Sequence, residues 1–239
     1  MSPIATSLAL ALVCLGATGV GQTDPATHIP PFEARYVAHR AGIAVGEAVL
    51  QLEYEETNRY RMRSSLRLTG LASLVATESI SEEVEGELVG GSPRPLCYQA
   101  ERIGGKARTV TLTFAWDRGE VATRVNGEEG RLTLKGGAVD PLSLYLLTML
   151  DLKRGALAEE YAVVDGKRLK TYATRDLGET TTGTPLGLFS TIRVTRQRPQ
   201  SRKATTFWHA PELDFLPVEL SRTKGGAELS RLTIDRLTR

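Results

Sequence analysis

The chain has 239 residues, 41% of them hydrophobic and 24% charged, the composition of an ordinary globular protein able to build one large core. Its 30 basic and 28 acidic residues leave a formal charge of +2 and are interspersed. That argues against a nucleic-acid-binding protein, which would show a basic face without matching acids.

Residues Ile4 to Val20 form an apolar run, small residues follow it, and the chain turns polar from Gln22. This is the pattern of a cleaved export signal over residues 1–21, although its first residues carry no Lys or Arg. The run is short for a membrane span. Cys14 follows Ala11-Leu12-Val13 and lacks the small residue wanted directly before a lipid-bearing cysteine. Cleavage would leave Cys97 alone, so no intramolecular disulfide is expected. Its apolar setting, Leu96-Cys97-Tyr98, reads as a buried, inert thiol.

Residues 22–31 read as a flexible lead-in, and residues 32–239 as one domain with no dividing linker. From Phe32 the pattern alternates. Phe32–Arg40 and Ala44–Glu55 pair with Ala38 facing Gly46, Tyr36 facing Ala48 and Phe32 facing Leu52. The next hairpin can be registered by charge. A three-residue loop, Glu56-Thr57-Asn58, places Glu55 opposite Arg59, Glu53 opposite Arg61, Tyr54 opposite Tyr60 and Leu52 opposite Met62. The arginine row Arg59, Arg61, Arg63 and Arg67 is then a solvated strand face balanced by glutamates. Gly70–Thr77 breaks the alternation as a helical turn or an apolar loop. Strands follow over Ser79–Leu88 and Leu96–Ile103. A hairpin around Arg118-Gly119 sets Trp116 against Val121, Phe114 against Thr123 and Leu112 against Val125. A further strand covers Gly130–Lys135.

Asp140 to Gly155 is the one long helix. Asp140 suits the N-cap, Pro141 the first helical position, Lys153 and Arg154 the C-terminal end of the dipole, and Gly155 the C′ position. Leu142, Tyr145, Leu146, Met149, Leu150 and Leu152 share one apolar face. Leu144 and Leu147 lie on the opposite side with Ser143, Thr148 and Asp151, so a second surface must cover them. Beyond the helix, Asp165-Gly166 marks a tight hairpin. Strands follow over Glu179–Gly183, Leu186–Arg196 and Ala204–Trp208. The last hairpin pairs Leu216 with Ile234, Val218 with Leu232, Glu219 with Arg231 and Arg222 with Glu228.

Little in the chain points to chemistry. His28, His39 and His209 have no second ligand at metal spacing. A nucleophile elbow and a phosphate-cradling glycine loop are both absent. Asp140 is accounted for as a cap and Asp165 as a turn residue, and Asp176 sits in a polar connection. No catalytic residue, metal or cofactor is expected. The basic cluster Arg193, Arg196, Arg198, Arg202 and Lys203 lacks nearby acids, which suits either a solvated hairpin end or contact with an anionic surface.

Four segments in order, Ala41-Gly42-Ile43-Ala44-Val45-Gly46-Glu47-Ala48, Asp140-Pro141-Leu142-Ser143-Leu144, Thr184-Pro185-Leu186-Gly187-Leu188-Phe189 and Trp208-His209-Ala210-Pro211 before Leu216-Pro217-Val218, resemble the DUF3108 family of exported bacterial proteins. The resemblance spans Pro31 to Arg239 and implies a periplasmic protein without carried-over catalytic residues. The expected fold is mainly β: a single curved antiparallel sheet, half-barrel or open barrel, with one principal helix on its concave face, similar to lipoprotein carriers. The leading functional expectation is a non-catalytic periplasmic protein that holds a lipid, acyl chain or other hydrophobic small molecule. Leu144, Leu147, Phe114 and Trp116 would line its site. The alternative is an envelope assembly or protein-interaction module with a filled core, in which Gly70–Thr77 or a partner covers Leu144 and Leu147. Peripheral contact with a membrane fits either expectation, and nucleic acid fits neither.

Overall fold

A computed structural model describes residues 28–56, 58–69 and 78–239. The expected export signal, Cys14 and the break at Gly70–Thr77 lie outside the described residues. The strands are β1 (Phe32–Arg40), β2 (Ile43–Glu56), β3 (Arg59–Leu68), β4 (Ser79–Val89), β5 (Ser92–Ile103), β6 (Arg108–Ala115), β7 (Glu120–Val125) and β8 (Glu128–Thr133), then β9 (Glu160–Asp165), β10 (Arg168–Thr184), β11 (Gly187–Gln197), β12 (Lys203–Ala210), β13 (Leu216–Lys224) and β14 (Ala227–Thr238). Helix α1 (Ser143–Lys153) separates β8 from β9.

All fourteen strands belong to one antiparallel sheet, in the order β8-β7-β6-β5-β4-β3-β2-β1-β14-β13-β12-β11-β10-β9. The sheet is antiparallel, as the alternation predicts, and it curves around the helix without closing into a barrel, as the family resemblance implies. Its two free edges, β8 and β9, are the strands that flank the helix in sequence. The chain therefore leaves one edge, crosses the concavity as α1 and returns as the other edge. Just before the helix, Val139 pairs in parallel with Val163 on the free side of β9. The Val139 amide donates to the Ala162 carbonyl at 3.1 Å and the Val164 amide to the Val139 carbonyl at 2.8 Å, so the strap blunts that edge. Across the open seam, Lys167 pairs with Glu128 at 2.6 Å and Arg108 with Asp165 at 3.5 Å.

The first hairpin has the predicted register, with Phe32 opposite Leu52, Tyr36 opposite Ala48 and Ala38 opposite Gly46. The small residues there admit the chain's own backbone: a Cβ on Gly46 would lie 2.3 Å from the Arg67 carbonyl oxygen of β3. In β2–β3 the pairs Leu52–Met62, Glu53–Arg61 and Tyr54–Tyr60 form as predicted. The register then slips, so Glu56 rather than Glu55 opposes Arg59, and Glu55 instead pairs with Arg61 at 2.6 Å. Strand β4 adds a second row of acids, with Glu85 on Arg61 and Glu83 on Arg63. Arg61 and Arg63 are thus held between two glutamate rows, and Arg67 pairs with Glu47 of β2.

Two later hairpins depart from the predicted register by two residues, which preserves which side each residue faces. Phe114 opposes Val121 and Leu112 opposes Thr123, because the turn runs over Trp116–Gly119 and leaves Trp116 beyond β6. In the last hairpin Leu220 opposes Leu232, and Glu219 opposes Thr233. Glu219 still reaches Arg231 at 3.0 Å, along the diagonal. The strand predicted over Glu179–Gly183 is the far half of the seventeen-residue β10, whose register shifts between Asp176 and Glu179. Cys97 is half-buried rather than buried. The described end of the lead-in is docked: Ile29 is buried, and its carbonyl accepts the Tyr54 hydroxyl at 3.0 Å.

Candidate functional site

Helix α1 occupies the place where a ligand of a half-barrel would sit. Its ends form as the sequence dictates. Asp140 Oδ1 accepts the amides of Leu142 at 2.8 Å and Ser143 at 2.9 Å, and the Asp140 carbonyl accepts Leu144 N–H at 3.2 Å. At the far end, Gly155 takes φ +65°. Its amide reaches the Leu152 carbonyl and the Ala156 amide reaches the Asp151 carbonyl, which is a Schellman closure. Between these caps every residue from Leu146 to Leu152 is buried, as are Ser143 and Leu144.

The helix touches protein on both sides. Leu142, Leu146, Met149 and Leu150 enter the main core with Tyr60, Met62, Leu112 and Val218. Leu144 and Leu147 form a second core with Val139, Tyr161 and Val163. What covers the two leucines is therefore edge strand β9 and its strap. The polar side of the helix is also occupied. Ser143 Oγ and Tyr60 Oη share a hydrogen bond of 2.8 Å, and Tyr161 Oη donates to Asp151 Oδ2 at 2.7 Å. Gly86 gives the Tyr60 ring its room, since a Cβ there would lie 2.5 Å from the phenol. Phe114 and Trp116 belong to the main core, stacked on each other at 5.8 Å. The Trp116 Nε1 donates to the Pro95 carbonyl at 2.7 Å. The four residues predicted to line one site thus divide between two cores.

Burial holds the Asp140 carboxyl above its ordinary range, against the lowering effect of the Ser143 and Leu142 donors. A raised acid favours the fold while protonated, and that contribution is lost as pH rises through its folded pKa. Asp140→Asn keeps an acceptor for the cap and removes the buried charge. Its stability is expected within about 1 kcal/mol of wild type at acid pH and level or higher at mildly alkaline pH, whereas Asp140→Ala loses about 1–2 kcal/mol throughout. Urea titrations at the two pH values check this.

The basic cluster does not stay together. Arg193 donates to the Leu177 carbonyl at 2.9 Å. Arg196 points into the concavity, 4.5 Å from the ring centre of Phe207, 5.5 Å from that of Tyr145 and 6.0 Å from that of Tyr172. Burial lowers its pKa, and no carboxylate pairs with it among the described residues. Each such ring contact contributes about 0.5–2 kcal/mol. Only Arg198, Arg202 and Lys203 remain exposed together, at the β11–β12 turn.

Beside Arg196 lies a cavity of about 10 Å³ lined by Tyr145, Thr148, Thr174, Val194, Phe207 and His209. That is room for about one water. Sequence reading weighed His209 only as a metal ligand and missed its structural role. Its Nδ1 meets the Phe215 carbonyl at 2.7 Å, and it holds a turn in which Asp214 and Phe215 both adopt left-handed φ, +55° and +61°. Lys153 and Arg239 pin the same turn through Asp214 at 2.8 Å and 2.7 Å. The Trp208-His209-Ala210-Pro211 segment followed by a strand was its only trace in the sequence.

Two clefts open elsewhere. One, of about 180 Å³, lies at the seam among Glu82, Tyr98, Arg102, Arg108, Pro141 and Asp165. Two of its acids have structural partners: Tyr98 Oη donates to Glu82 at 2.5 Å, and Asp165 pairs with Arg108 and with Lys170 at 2.5 Å. The other, of about 530 Å³, is an open groove over β2–β6 with Gln51, Arg63, Glu83, Gln99 and Glu101 on its walls. Among the described residues, no three His, Cys, Asp or Glu come close enough to hold a metal ion.

A family model described as a protein of unknown function (DUF3108) matches residues 32–229. Among solved structures, the chain is similar to a β-barrel-like protein of domain of unknown function DUF1849 from Brucella abortus, with 12% identity and a TM-score of 0.57 over 87% of this chain and 96% of that one. It is also similar to a protein with a YmcC-like fold from Bacteroides fragilis, with 10% identity and a TM-score of 0.41 over 87% of this chain and 95% of that one. No curated protein matches the sequence. The first of these structural likenesses bears on the fold alone.

Proposed function

The chain belongs to the DUF3108 family, whose function is unknown, and we propose that it is a non-catalytic protein of the bacterial envelope that acts through its outer surface. Its filled half-barrel is a rigid scaffold for assembly or docking. The observation that carries this reading is the burial of α1 on all sides. Leu144 and Leu147, 2% and 9% exposed, pack on Tyr161 and Val163 of the same chain. A lipid or acyl chain between sheet and helix would need an apolar cavity of several hundred Å³. The space beside the helix at Arg196 is about 10 Å³.

The absence of a catalytic role is supported by the duties of the buried acids. Asp140 caps the helix, Asp151 accepts Tyr161, and Glu82 accepts Tyr98. Three of the segments that carry the family resemblance also have structural work: a close β1–β2–β3 approach at Gly46, a helix cap at Asp140, and a turn anchor at His209. Envelope location is supported by the apolar run Ile4–Val20.

Native mass spectrometry of protein purified from the periplasm tests the filled core. The expected spectrum is that of the bare polypeptide, with no uptake of fluorescent fatty acid. A stoichiometric co-purifying lipid, or saturable uptake competed by unlabelled acyl chains, would overturn the reading.

A further inference from the structure

We propose that one end of the half-barrel is a docking face for an anionic phospholipid surface. The sheet order sets β2-β1, β14-β13 and β12-β11 side by side, so the three hairpin tips β1–β2, β13–β14 and β11–β12 emerge next to one another at the same end. The last two touch, through the Gly225 amide and the Arg202 carbonyl at 2.8 Å. These tips read Arg40-Ala-Gly-Ile-Ala44, Thr223-Lys-Gly-Gly-Ala227 and Gln197-Arg-Pro-Gln-Ser-Arg-Lys-Ala204, without one acid among them. Arg40, Arg198, Arg202, Lys203 and Lys224 are all exposed there. None forms an ion pair among the described residues, whereas Arg61, Arg63 and Arg67 on the outer sheet face are all paired.

Two features favour a surface of phosphate headgroups over a mere solvated end. Lys203 and Lys224 stand directly opposite each other in register. Like charges so placed repel, and an external anion relieves the repulsion. Ile43, 68% exposed, stands opposite Arg40 at the neighbouring tip. Basic residues at an anionic bilayer with an apolar side chain entering the interface are the two elements of peripheral membrane contact. Nothing in this arrangement requires Arg193 or Arg196, which are engaged elsewhere. The face rests on the envelope reading, which supplies the anionic surface.

Sedimentation with phosphatidylcholine vesicles, with and without phosphatidylglycerol, tests it. The full-length processed protein is expected to pellet only with phosphatidylglycerol and to be released by high salt. Combined Lys203→Glu and Lys224→Glu substitution keeps a like-charge pair, so folding stays comparable, and should weaken vesicle binding by at least about tenfold. Lys203→Glu alone should raise the melting temperature by turning repulsion into attraction while still weakening binding. No pelleting with phosphatidylglycerol vesicles, or pelleting indifferent to these substitutions, would overturn the proposal. Retention on heparin without vesicle binding would overturn it in favour of a soluble polyanion. These outcomes are separate from lipid co-purification, which alone bears on the filled core.

Discussion

Leu144→Ala should cost about 2–5 kcal/mol of stability in protein that has met no lipid and no partner. The reason is where the side chain sits. Leu144 is 2% exposed against Val139, Tyr161 and Val163, which are themselves buried. Truncation removes the burial free energy of the missing carbons and leaves a cavity that the β9 strand and its strap cannot readily close. Leu147→Ala should cost somewhat less, because Leu147 is 9% exposed. The two side chains share one cluster, so the double substitution should fall short of the sum of the singles. Urea denaturation of the bare protein gives the numbers. Leucines that face a ligand would behave differently: their truncation would leave the unliganded stability near wild type and show only when ligand is added. The measurement therefore separates a helix that plugs the sheet from one that lids a cavity.

Acidification from about pH 6.5 to about pH 4 should remove about 3 kcal/mol of stability through His209 alone. Burial pulls the His209 pKa down to about 4 from an ordinary 6.5, with the Phe215 carbonyl opposing that effect and Arg196 adding to it. The sign follows from proton counts. Between those two pH values the unfolded chain binds a proton at this residue and the folded chain does not, so stability is fully present above the unfolded pKa and falls as pH drops. Below the folded pKa both states are protonated and the loss stops. Each pH unit in the window costs about 1.4 kcal/mol. His209→Gln should flatten that part of the pH profile. It should also cost about 1–3 kcal/mol at neutral pH if the Phe215 carbonyl loses its donor. Stability of the two proteins across the window, by urea titration, checks both effects. A variant with the wild-type acid slope would show that another group carries it.

Much of the fold was legible because local chemistry decided it. The helix limits rest on residues that act within a few positions of themselves, Asp140 at the start and Gly155 at the end. The first two hairpins were readable because size and charge pair directly across neighbouring strands: Ala38 against Gly46, and Glu53 against Arg61. Where turn geometry intervened, the reading slipped by whole pleats. The turn at Trp116–Gly119 absorbed residues counted as strand, and Glu219 met Arg231 along a diagonal instead of face to face. A slip of two keeps the same side buried, so the pattern of apolar residues could not detect it.

The site was less legible, because burial is a property of neighbours far apart in the chain. Arg196 and Arg198 are two residues apart in a run of basic character. Cross-strand placement sends the first under three aromatic rings and leaves the second in solvent. Lys203 and Lys224 come face to face only once β12 and β13 are in register.

By itself the sequence determined a mainly β chain with one capped helix, an alternation suited to a meandering antiparallel sheet, and two leucines on that helix in need of a second cover. Tertiary structure decided what the cover is. The strands before and after the helix became the two free edges of one open sheet, and the chain between them had to cross its interior. Once across, β9 folded back on the far side of the helix and placed Tyr161 and Val163 over Leu144 and Leu147. Periodicity marks a face as apolar; only the path of the whole chain determines what that face meets.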